Sequence, residues 1–270
     1  MLNYASIPVL IAVPILLSSV KVYRKGLITG LFVSLIFLGS GELLLLLVPL
    51  AAAVCMFYTA KKSEGEDSGG LYVKNPAASM LTVFLLSMII FCAGSDAFFH
   101  YGQYLRLADD VLLLTGRVAP IGAFIGPILV GNWCDRKGPF SATIFLTLLS
   151  ALSVSLAGCG DQSTVLFILG NFLVYLSTSG FFVLMPLVSE AFFGKTNFFR
   201  FYIPIAVNAV LLWAGARYVY NSGGIALGNP GEFLLSLMFL VLLSAFFAVI
   251  AWKRRFVLVR PPKTAQKTGS

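Results

Sequence analysis

The stretch 131–138, GNWCDRKG, is a tight charged turn between two long apolar runs, and the chain on either side divides around it. Hydrophobic residues make up 59% of the 270 positions and charged residues 11%, against about 25% charged in a soluble domain; the mean hydropathy is +0.92. Apolar segments of about 17 to 25 residues recur along the chain, long enough to cross a hydrocarbon core of about 30 Å as helices. They are continuous rather than alternating, which excludes a membrane β-barrel. The sequence therefore reads as an all-α, polytopic membrane protein whose first partner is the lipid bilayer.

Nine apolar segments can be drawn, at 4–20, 26–39, 42–60, 76–104, 111–133, 140–156, 164–187, 199–218 and 233–252. The break GSGE at 39–42 separates the second from the third. Residues 1–60 hold three helices and 61–75 form a polar, glycine-rich linker unable to bury enough apolar surface to fold. Residues 76–252 hold six helices, and 253–270 form a basic tail. Proline at 76 and at 139 suits the first turn of a helix.

The formal charge of +8 would suit nucleic acid if it were clustered on a folded surface. Instead the lysines and arginines fall in short loops, so they report topology and give no reason to expect a nucleic-acid partner. With the carboxyl terminus in the cytoplasm, nine crossings place all of the 19 basic residues except Arg106, Arg117 and Arg217 in cytoplasmic segments. Nothing in the sequence names the particular membrane. Cys55, Cys92, Cys134 and Cys159 lie far apart without metal-ligand spacing and read as small core residues. No nucleophile and base arrangement, zinc spacing, phosphate loop or haem motif is present, so no enzymatic reaction, metal or cofactor is expected.

Polar residues inside apolar runs are the candidate functional positions, because ionisable groups in a bilayer face a cavity or a partner. Asp96, His100 and Gln103 are spaced to share one face of a continuous helix. Asp96 lies about 27 Å along that helix and Arg117 about 27 Å from Asp135 on the next, so an Asp96–Arg117 ion pair is expected. It would be a static bridge, an outer gate, or a proton site modulated by His100, since histidine is the side chain that changes charge near neutral pH. Gln103, Asn171, Tyr175, Ser179 and Asn208 are candidate contacts for a polar solute, with hydrogen bonding between helices as the structural alternative. Gly122, Gly126, Gly170 and Gly180 read as close-packing or hinge positions. The 24 phenylalanines read as surfaces turned to lipid or to neighbouring helices.

Gly131, Asp135, Arg136 and Gly138 are spaced as in the loop signature of the major facilitator superfamily: glycine, three residues, aspartate, arginine, any residue, glycine. Here the chain resembles that superfamily. The nine segments correspond to spans four through twelve of its twelve, which implies an incomplete facilitator fold and a solute carrier working by alternating access. The runs FFHYGQYL (98–105), RVAPIGAFIGP (117–127) and SEAFFG (189–194) resemble system-L-type amino-acid facilitators. Nodulin-like and monocarboxylate-like carriers resemble the chain nearly as well, so a monocarboxylate or sugar stays open beside an amino acid. The resemblance implies that the four turn residues form a conformational latch. Asp135 would cap the helix start near 200–202, and Arg136 would pair with an acid such as Glu190. It also implies a missing amino-terminal segment, so that a non-transporting form associating with a full-length carrier is the alternative.

Overall fold

The structure, a computed structural model, describes residues 24–38, 76–95, 97–221 and 230–258. These residues are helical, with no strand among them. In chain order the helices are α1 (Lys25–Leu38), α2 (Pro76–Gly94), α3 (Ala97–Tyr104), α4 (Asp109–Lys137), α5 (Pro139–Gly158), α6 (Thr164–Asn221) and α7 (Pro230–Leu258). A short 3-10 turn, Cys159–Asp161, follows α5. Gly194 interrupts α6 with a non-helical backbone and divides it into two arms.

Among the described residues, five stretches are long and apolar enough to cross a membrane: Asp109–Lys137, Pro139–Asp161, Thr164–Gly194, Phe198–Ala216 and Gly231–Lys253. The bent pair α2 and α3 makes a sixth if counted as one span. This is the make-up of an integral membrane protein. The expected segments at 4–20 and 42–60 and the linker at 61–75 lie outside the described residues, as does the tail beyond 258.

The expected single helix over 76–104 is broken. Its two pieces, Ser79–Gly94 and Ala97–Tyr104, meet at 48°. At the break the Ser95 N–H and hydroxyl both donate to the Cys92 carbonyl, at 3.2 and 2.7 Å. That shortens the last turn and ends the regular ladder. The break falls at Gly94-Ser95-Asp96, a helix-start pattern that a count of apolar residues overlooks.

Packing is organised by small residues. On α4, Gly122 lies against the Phe172 carbonyl and Gly126 against the Leu176 carbonyl and the Ser179 hydroxyl of the first arm of α6. Gly170 of that arm meets the backbone of Ala157 on α5, and Gly180 meets Val130. The four glycines expected to allow close packing do so. Phe84, Phe91, Phe98, Phe167, Phe181 and Phe233 are fully buried between helices, while Ser244 on α7 donates to Met88 Sδ on α2 at 3.2 Å.

Helix α1 crosses α4 antiparallel through its own small-residue stripe. Gly26 meets the Gly131 carbonyl, Gly30 meets the Pro127 carbonyl, and the Ser34 hydroxyl donates to the Phe124 carbonyl at 2.7 Å. A Cβ on Gly26 or on Gly131 would collide with the partner's backbone carbonyl, an atom that cannot swing aside. Overpacking of this kind costs about 1 to 3 kcal/mol. We expect Gly131→Ala to lower the melting temperature of the purified chain by roughly 4–8 °C. Gly116→Ala, whose Cβ would meet nothing within 4 Å, should leave it unchanged or raise it. Scanning fluorimetry in detergent checks both, and equal shifts for the two substitutions would refute the crossing.

Candidate functional site

A polar clamp closes the end of the α1–α4 crossing. The first N–H groups of a helix have no acceptor within it, and the residues leading into α1, Val22, Tyr23 and Arg24, are not of the types that cap a helix start. The missing acceptor comes from α4. Asp135 Oδ1 accepts from the Gly26 N–H and Oδ2 from the Leu27 N–H, each at 2.8 Å. One carboxylate thus satisfies two backbone donors and places negative charge at the positive end of the α1 dipole. Beside it, Lys25 Nζ lies 2.9 Å from Glu190 Oε1 on the first arm of α6, with the two side chains 17% and 16% exposed. Consecutive residues 25–27 are thereby tied to two helices far along the chain.

The turn after Asp135 is built to stop α4 sharply. The Gly138 N–H donates to the Cys134 carbonyl at 2.9 Å. Gly138 adopts φ 82 and ψ 160, a region essentially restricted to glycine. Pro139 then occupies the first turn of α5.

Asp135 therefore does cap a helix, as the sequence implied, but the helix is α1. The expected partner near 200–202 is not the one engaged. Glu190 is likewise used, by Lys25 in place of Arg136, whose side chain points outward and is exposed. Lys25 and the stripe Gly26, Gly30 and Ser34 were not singled out from the sequence, although small residues at steps of four in an apolar helix are a recognised signal of close helix crossing.

The other expected positions do not converge on one site. Asp96 lies outside the described residues, at the α2–α3 break, so its pairing with Arg117 is not described. Arg117 is exposed on the side of α4 that carries Ile121 and Ile125. His100 Nδ1 and Gln103 Oε1 are 3.1 Å apart on α3, so that part of the expected face is formed. Asn171 is buried and donates to its own helix at the Phe167 carbonyl, 3.1 Å away. Ser179 donates to the Leu176 carbonyl at 3.2 Å and is covered by Gly126. Tyr175, between them on the same arm, is half-buried. Asn208 is exposed and donates to the Pro204 carbonyl at 2.9 Å. A shallow depression of about 360 Å³ beside the clamp is lined by Leu27, Ile125, Ile128, Leu129 and Asn132, and by none of the expected solute contacts.

Among the described residues no group of three histidine, cysteine, aspartate or glutamate side chains could hold a metal ion. No protein-family model and no curated protein sequence matches the chain. The clamp is the feature whose chemistry is most fully defined: a carboxylate, two backbone donors and an ion pair between elements that pack through glycine.

A half-buried ion pair couples more strongly than one fully in water, and Lys25–Glu190 should show it. We expect a double-mutant cycle of Lys25→Gln and Glu190→Gln on thermal stability to give a coupling of about 0.5–2 kcal/mol. The swap Lys25→Glu with Glu190→Lys should recover most of the loss, and additive effects would sink the pair.

Proposed function

We propose that the chain works as a secondary carrier of the major facilitator type, moving a small organic solute by alternating access, with the clamp as the latch that holds its charged end closed. The observation that carries this reading is the double cap of α1 by Asp135. Opening that end exchanges two N–H···O bonds and one ion pair for water, a change of a few kcal/mol. Differences of that size are what a bound solute can bias between two states. The small-residue crossing beneath supports the same reading, since a seam without interdigitated large side chains can part without repacking a core. The basic residues at this end favour its placement in the cytoplasm.

An amino acid is the solute class favoured by the sequence runs at 98–105, 117–127 and 189–194, with monocarboxylates and sugars next. Counterflow into vesicles containing the complete chain, with labelled members of all three classes, should identify one class that exchanges. Asp135→Ala should cut that exchange roughly tenfold or more, the equivalent of 1.4 kcal/mol, with helix content unchanged. If no solute moves, the carrier reading fails for this chain alone, and association with a full-length carrier becomes the reading to pursue.

A further inference from the structure

The clamp end of the molecule carries cations that the clamp does not use. Arg136, Lys137 and Lys253 are exposed, and their side chains have no ion-pair or hydrogen-bond partner among the described residues. The two acids placed beside the turn are committed, Asp135 to the start of α1 and Glu190 to Lys25.

Their positions along the helices are informative. On α7 the exposed apolar residues Leu235, Phe239, Leu242 and Phe246 run at steps of three and four, and Lys253 continues that face two turns on. On α4, Ile121 and Ile125 are exposed, and Arg136 continues their side three turns on. Lys253 thus stands where an exposed apolar stripe ends, and Arg136 and Lys137 close α4 at the same end; in a bilayer, cations so placed lie at the level of the headgroup phosphates. Tryptophans stand within about a turn of these cations on the same helices, Trp133 on α4 and Trp252 on α7. Trp133 stacks on Phe145 at 4.4 Å and donates to the Ser141 hydroxyl at 3.1 Å. Phe140 stacks on Trp252 at 5.0 Å. Tryptophan with a polar edge favours the same interfacial layer. The Phe140–Trp252 stack joins the residue two beyond Gly138 to the residue before Lys253, so residues more than a hundred positions apart build one rim.

We propose that Arg136, Lys137 and Lys253, within a turn of the Trp133–Phe145 and Phe140–Trp252 stacks along their helices, form a binding site for the phosphate headgroup of an anionic phospholipid. Three cations without an ion-pair partner among the described residues, held at phosphate level, attract negative headgroups over zwitterionic ones, and the ring stacks supply a rigid floor against which the acyl chains begin. The site is independent of solute movement and needs only that the helices lie in a bilayer.

The test is quenching of tryptophan fluorescence by lipids with brominated chains, in bilayers of phosphatidylcholine with about 30 mol% phosphatidylglycerol, using the complete chain carrying Trp213→Phe. Brominated phosphatidylglycerol should associate roughly fivefold or more tightly than brominated phosphatidylcholine. The triple substitution Arg136→Gln, Lys137→Gln, Lys253→Gln should abolish the preference, and about 0.5 M salt should weaken it in the unsubstituted chain. Equal association of the two lipids, a preference that survives the triple substitution, or one indifferent to salt would each overturn the site. The salt series needs no charge variant and so stands even where the triple substitution fails to fold.

Discussion

Two N–H groups at the start of α1 have no acceptor in their own helix, and the arrangement of the clamp end depends on where they find one. Left unpaired near a membrane, each would cost on the order of 1–3 kcal/mol. Asp135 satisfies both, and its reach sets how closely α1 approaches α4. The closeness is possible only because Gly26 and Gly131 face one another: a Cβ on Gly26 would strike the Gly131 carbonyl and stand 2.9 Å from Asp135 Oδ1. Cap and crossing are one constraint. Removing the small residues moves the donors away from the carboxylate, and removing the carboxylate leaves the crossing without a polar stop at its end.

This explains which parts of the fold are readable in the sequence. The helices after Gly138 come close to their expected bounds, because long apolar runs between charged turns leave little choice in a low-dielectric medium. The break after Gly94 does not follow from apolar length, although Gly94-Ser95-Asp96 has the residue types of a helix stop and start; the Ser95 hydroxyl competes there for the Cys92 carbonyl. The role of Asp135 as an acceptor for helix N–H groups is implied by the resemblance, although the expected turn at 131–138 is helical as far as Lys137 and Asp135 sits in the last turn of α4. Its partner is not legible in the sequence, because an acceptor is indifferent to which helix donates, and the choice of α1 is made by the glycine stripe on both surfaces. Glu190 shows the same limit: charge identifies it as a partner for a cation, and only proximity selects Lys25 over Arg136.

The polar positions within the helices teach a different lesson. Asn171, Ser179 and Asn208 have the chemistry to hold a solute, yet each donates to a carbonyl three or four residues back in its own helix. Short polar side chains in helices commonly do this, and it lets them enter a membrane with their donors satisfied. Any solute that recruits them must offer a better acceptor than a peptide carbonyl already in place. Residue type shows that these side chains could hold a solute; it does not show that their donors are already taken by their own backbone.

Gly138 and Gly194 share almost one backbone conformation, φ 82 with ψ 160 and φ 78 with ψ 165, and a Cβ on either would meet nothing within 4 Å. Space is therefore not what requires glycine at these two elbows; handedness is. Inverting the signs of both angles gives an extended conformation that any L residue adopts. At both points the chain takes the mirror image of an ordinary extended link, using an achiral residue where a D amino acid would fit. The two elbows stand at the same end of the bundle and follow the two parallel helices that supply Asp135 and Glu190. The acids that hold α1 are thus each delivered a few residues before a reversal of chain handedness.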